Sequence, residues 1–136
     1  MSVFLVLSQD DGVRAAIAVA APGARDGAVG YALFDADAVA ALGIAIAESS
    51  GDTPDSEVNG WHRDLQRLTF SHLAEIARLI SQARLMEEIP LPAFRERVRG
   101  AVAAGEMDRR RVHPSNLRWE QESVLCDVDR RSPMRG

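Results

Sequence analysis

Arg67 and His72 form the one pair in this 136-residue chain whose types suit acid–base work on a phosphodiester. An imidazole titrates near neutral pH, so His72 could serve as general base or acid, and Arg67 could stabilise charge developing on a phosphorane. The stretch Arg67-Leu68-Thr69-Phe70-Ser71-His72 reads as helical, and on an ideal helix the two side chains point about 140° apart at about 100° per residue. One molecule therefore converges them poorly, and a dimer would have to complete the geometry. The competing reading makes His72 a core histidine satisfied by one hydrogen bond, because it falls within an apolar stripe.

An arginine, four residues and a histidine resemble the motif of HEPN-type ribonucleases, a family of helical bundles that dimerise to bring such residues together. The resemblance covers residues 67–72, and Leu68 stands where that family typically carries a polar residue. It implies RNA cleavage by Arg67 and His72 as an alternative function.

Other chemistries find less support. His62 with Asp64, and His72 with Glu75, match no zinc or di-iron spacing, and there is no CxxC or HExxH, so neither metal nor cofactor is expected. All sixteen basic residues are arginine. The absence of lysine excludes Schiff-base catalysis, a P-loop and the lysine of a receiver domain, while a GC-rich genome accounts for it without function. Asp10-Asp11 and Asp35/Asp37 each follow an apolar run, where turn or cap duty explains them. No Gly-x-Ser-x-Gly is present, and Cys126, the only cysteine, has no neighbour that would lower its pKa. Charge is divided unevenly: residues 1–60 hold nine acidic residues and two arginines, residues 61–136 eleven and fourteen. Arg95, Arg99, Arg109, Arg110 and Arg111 could therefore grip nucleic-acid phosphates, although Glu96, Glu106, Asp108 and Glu120 interleave with them and favour a solvated face.

The elements that must position these residues are read from periodicity. Trp61 to Glu88 reads as one long amphipathic helix, with Trp61, Leu65, Leu68, His72, Ile76, Leu79, Ala83 and Met86 on one stripe. Pro90 and Pro92 end it, and Pro92 opens a shorter helix with Phe94, Val98, Ala101 and Val102 on one face. Earlier, Val3–Leu7 reads as a strand closed by an Asp11-Gly12 turn. Residues 13–21 fit either a strand or a helix capped by Asp10 or Asp11, and the β-branched residues on the period-two face favour the strand. Val29, Tyr31 and Leu33 make a third strand, and a helix capped by Asp35 or Asp37 runs on through Ser49, with Gly51 near its stop. Residues 50–60 read as an acidic loop and the most mobile internal segment. Asp108 is placed to cap a turn through Arg109–Arg111, residues 123–128 form a possible edge strand, and residues 130–136 read as a frayed tail.

Together these give a single α+β domain over residues 1–129: an N-terminal three-stranded antiparallel meander with a helix, then the long helix and a shorter one. The expected function is a small protein-binding module of regulatory or inhibitory type, more a binder than an enzyme. A homodimer through Trp61, Leu65, Leu68, Ile76, Leu79 and Met86 is expected, since that stripe is wider than one short helix would cover. A cytoplasmic protein that does not enter membranes is expected, because the apolar run Ala38–Ala47 is about half a membrane span and the N-terminus lacks the basic region of a signal peptide.

Overall fold

The α+β class holds in the computed structural model, which describes residues 1–119. Five strands alternate with five helices: β1 (Ser2–Phe4), α1 (Gln9–Ala20), β2 (Val29–Leu33), α2 (Ala36–Ala41), β3 (Ala45–Glu48), α3 (Ser56–Asn59), β4 (His62–Gln66), α4 (Phe70–Ser81), β5 (Leu85–Ile89) and α5 (Leu91–Ala103). Two 3-10 turns, Arg109–Arg111 and Pro114–Leu117, follow. The strands form two antiparallel sheets, one ordered β1-β4-β3 and the other a β2-β5 pair. A three-stranded antiparallel sheet is thus present, but its members come from distant parts of the chain and are not a meander.

The long helix Trp61–Glu88 is replaced by strand, helix and strand. Arg67 takes a left-handed backbone (φ 55) that no helix continues through. Thr69 then starts α4 with a capping box: its hydroxyl accepts from the His72 N–H at 3.1 Å, and the His72 ring accepts from the Thr69 N–H at 3.3 Å. His62–Gln66 is recruited as the central strand of its sheet and Leu85–Ile89 as the partner of β2, so long-range pairing overrides helical spacing.

Residues 13–21 belong to helix α1 and its end, not to a strand. The cap is Ser8, whose Oγ accepts from the Asp11 N–H, and Asp10 and Asp11 lie in the first turn at the positive end of the helix. Gly12 sits within this helix instead of a hairpin turn, under the Leu33 side chain, which a Cβ would meet at 2.9 Å. The helix expected from its Asp35 or Asp37 cap through Ser49 stops at Ala41, because Gly43 adopts φ +77 and redirects the chain into β3.

Residues 50–60 are the opposite of a mobile loop. Thr53 and Asp55 are buried, and the Asp55 carboxylate caps α3 by accepting from the Glu57 and Val58 N–H groups. The α5 helix and the Asp108 cap stand as read, with Phe94 and Val98 buried and the Asp108 carboxylate accepting from the Arg110 N–H. The possible strand at 123–128 and the tail at 130–136 lie outside the described residues.

Two clusters form the core. The larger joins α1 to α5 through Ile17, Ala18, Phe94 and Val98, with Phe4 and Val29 reaching it from the sheets. The smaller joins Val39, Ile44, Leu65 and Ile76, with Val3 against it. Val3 and Phe4 are neighbours on β1 yet pack into different clusters. Both faces of that strand therefore contribute to the core, which accounts for two adjacent apolar residues there.

Candidate binding cleft

Between the two sheets lies an open cleft of about 890 Å³, bordered by β1 and the chain that follows it on one side and by β2 on the other. Small residues of α1 (Gly12, Ala15, Ala16) line one wall, and Val39, Ile76 and Ile80 contribute to another. Several large apolar side chains on its lining reach solvent, among them Leu5, Val19 at 51 % and Leu7 at 96 % exposure. Such clustering is more than scattered surface hydrophobics require.

The backbone gives the cleft its chemistry. The Leu65 N–H donates to the Met1 carbonyl and the Leu5 N–H to the Trp61 carbonyl, so the odd residues of β1 spend their backbone groups on β4. By the alternation of an antiparallel ladder, Ser2 and Phe4 point theirs the other way. The other edge of β4 is taken by β3, and β2 is paired with β5 alone. Among the described residues, β1 and β2 each therefore keep one unpaired edge, and both strands line the same cleft. Unpaired N–H and C=O groups along a strand edge are a template for an added strand.

Charged side chains on the lining are few. Arg25, Arg63 and Arg84 line the cleft, with Asp35 as its carboxylate. Arg63 is already engaged, donating to the Gly60 and His62 carbonyls at 3.0 and 2.8 Å and lying 4.0 Å from Glu48. Tyr31, also on the lining, donates to Glu87 at 3.2 Å.

The residues singled out for chemistry are dispersed. Arg67 is in the β4–α4 turn, and His72 is the third residue of α4, where its ring completes the capping box. The shared helix that the ribonuclease resemblance implies is absent at this pair. His62 receives or gives a hydrogen bond with Ser49 Oγ at 2.6 Å, its ring edge-on to Phe4 at 5.3 Å between centroids. No carboxylate hydrogen-bonds this imidazole among the described residues, so the orienting third group of a hydrolytic triad is missing there. No group of three or more His, Cys, Asp or Glu able to hold a metal ion occurs among the described residues.

Of the stripe expected to form a dimer, Leu65 and Ile76 are buried together in the smaller cluster, with Leu68 and Leu79 packed on them. Trp61 packs on the larger cluster beneath the Arg14 guanidinium, 5.7 Å from its ring centroid. Met86 alone of the set is well exposed, at 59 %. The stripe thus meets the chain's own sheet. Most of the arginines read as phosphate contacts are engaged within the chain. Arg95 donates to the Arg25 carbonyl, Arg99 donates to the Arg118 carbonyl and stacks on Trp119 at 4.0 Å, and Arg111 pairs with Asp52. Arg110 pairs with Asp108, whose carboxyl is held below the usual range chiefly by the Arg110 backbone N–H, and Arg109 is exposed.

Sequence reasoning missed the cleft. Its one signal was the continuation of the apolar run past β1 as Leu5-Val6-Leu7, where Leu5 and Leu7 are exposed and the core accounts only for Val3 and Phe4. No family model matches the chain, and no curated protein or solved structure matches it either. No helix among the described residues is long and apolar enough to cross a membrane.

Proposed function

We propose that this protein is a small protein-binding module that accepts an extended apolar segment of a partner between β1 and β2. The observation that carries this reading is the pair of unpaired strand edges bordering one apolar cleft. Main-chain hydrogen bonds would supply affinity there, and side chains meeting the small α1 residues and Ile80 on the lining would supply selectivity. A module acting by occupancy needs no catalytic set, which fits the dispersal of Arg67, His62 and His72. It also fits a regulatory or inhibitory role, in which holding a partner's strand is the whole action.

Selection of random displayed peptides on the full chain tests this. Bound peptides are expected to share an apolar run of about five or six residues, the usual strand length, and to slow hydrogen exchange at the Ser2 and Phe4 amides. Val19→Asp, at a half-exposed position on the lining, is expected to weaken them by tenfold or more, since one charge against a buried apolar segment costs about 1.4 kcal/mol at the least. Binders indifferent to Val19→Asp that leave those amides unprotected would remove the reading.

A further inference from the structure

The outer side of α4 presents an apolar surface that neither the core nor the cleft accounts for. We propose that two copies of the chain associate there, their α4 helices antiparallel about a two-fold axis at Ala77.

A helix docked on its own sheet needs one apolar face, and α4 has two. Ile76 is buried with Leu79 packed beside it, so that face is spent on the smaller core cluster. At about 100° per residue, Phe70, Leu73, Ala74, Ala77, Ile80 and Ser81 fall within a second arc of about 120°. All six are exposed, and only Ile80 also lines the cleft. Phe70 opens the helix at 93 % exposure, and Leu73 at 40 % and Ile80 at 37 % continue the same arc. That is more than scattered surface apolars require.

The order of side chains along the arc selects a second copy as the occupant. Reversed about Ala77, each helix sets Ala74 within one residue of the level of Ser81 of the copy, and Leu73 likewise of Ile80. Phe70 then reaches just past the last turn of the copy's helix. Small residues meet along the centre, where the two backbones can approach closely, and the larger side chains meet along one flank. Bulk and space thus match under the two-fold operation, as a contact between identical surfaces requires.

Charge agrees with the same arrangement. On the other flank Arg78 pairs with Glu75 of its own helix. Antiparallel reversal brings each Arg78 level with Glu75 of the copy, so that four charges alternate in sign, whereas a parallel pair would set like against like. Exposed charges of this kind direct the pairing more than they strengthen it. A seam along one helix of twelve residues is about 18 Å long. It is smaller than the interfaces of obligate dimers, and dissociation in the micromolar range is expected.

Sedimentation equilibrium of the full chain from about 1 μM to about 1 mM, a range that brackets such an affinity, tests this. A monomer–dimer equilibrium is expected, weakened at least about tenfold by Phe70→Ser, which removes the largest side chain of the seam, and by Ala77→Glu, which sets two like charges face to face. Both positions are exposed and neither lines the cleft, so Tm and peptide binding should match those of the unaltered chain. A monomer throughout overturns the proposal and leaves the seam to a helix of another protein. Dimers indifferent to both substitutions, or disrupted by Val19→Asp instead, overturn it by placing the contact elsewhere. Orientation is read in chains that also carry Cys126→Ser, which removes the natural thiol. A short bis-maleimide should join Ala74→Cys chains to Ser81→Cys chains faster than it joins either to itself. Faster joining of either variant to itself refutes the two-fold axis at Ala77.

Discussion

Asp55 shows at the scale of one residue how the acidic segment is held. Its carboxylate is 1 % exposed, yet it accepts from Arg14 Nε at 2.7 Å, from Arg14 Nη2 at 3.1 Å and from two backbone N–H groups of α3. Arg14 reaches Glu57 as well, at 3.0 Å, and its hydrogen bond to Asp55 raises the guanidinium pKa further above its ordinary value. Replacing a buried carboxylate with this many donors is costly, because the partly buried Arg14 charge and the α3 N–H groups lose their partner together. Asp55→Asn is expected to destabilise the protein by about 3 kcal/mol, read as a lowered urea midpoint at unchanged slope. A loss below about 1 kcal/mol would place Asp55 among ordinary surface pairs. Composition made this segment look like a linker, since Gly, Pro, Ser and Asp are also loop residues. The residues that order it, Arg14 and Arg111, stand far away in sequence, where local reading cannot connect them.

At the scale of elements, the junction between β4 and α4 separates two views of the Arg67/His72 pair. In a catalytic pair, removing the guanidinium abolishes activity and leaves stability nearly unchanged. In the turn observed here, Arg67 carries positive-φ strain that glycine does not feel. Arg67→Gly is therefore expected to leave the protein as stable or more stable, by up to about 1 kcal/mol after the added freedom of the unfolded chain is subtracted. Thermal unfolding of the variant measures it, and a marked fall in Tm would show that the arginine side chain holds the turn. The Thr69-to-His72 capping box carries histidine where the sequence signature has Glu or Gln. The apolar spacing from Trp61 to Met86 fits one helix well enough to mask that start. The spacing persists for a different reason: Leu65 on a strand and Ile76 on a helix converge from two elements on one core cluster.

For the whole molecule, stability and binding reside on different surfaces. Phe94 is fully buried between α5 and α1 and is the largest such side chain among the described residues. Phe94→Ala is expected to cost about 4 kcal/mol through lost transfer energy and the cavity left behind. Val19→Asp, on the opposite side of α1 from that core and half exposed, should change stability by less than about 1 kcal/mol while removing peptide binding. Paired urea denaturation curves distinguish them, and a Val19→Asp chain as unstable as Phe94→Ala would mean that the cleft wall is part of the core.

The sequence by itself determined the α+β class, α5 with its proline start and the Asp108 cap, because these depend on residue type and on neighbours within a turn or two. Tertiary structure alone decided that residues 13–21 form a helix, that Trp61–Glu88 divides into three elements, and that β1 and β2 face one cleft without pairing. Each of those outcomes turns on contacts between residues far apart in the chain, such as Ser2 with Asp64 and Val29 with Ile89. Pairing of that kind leaves no local period in the sequence.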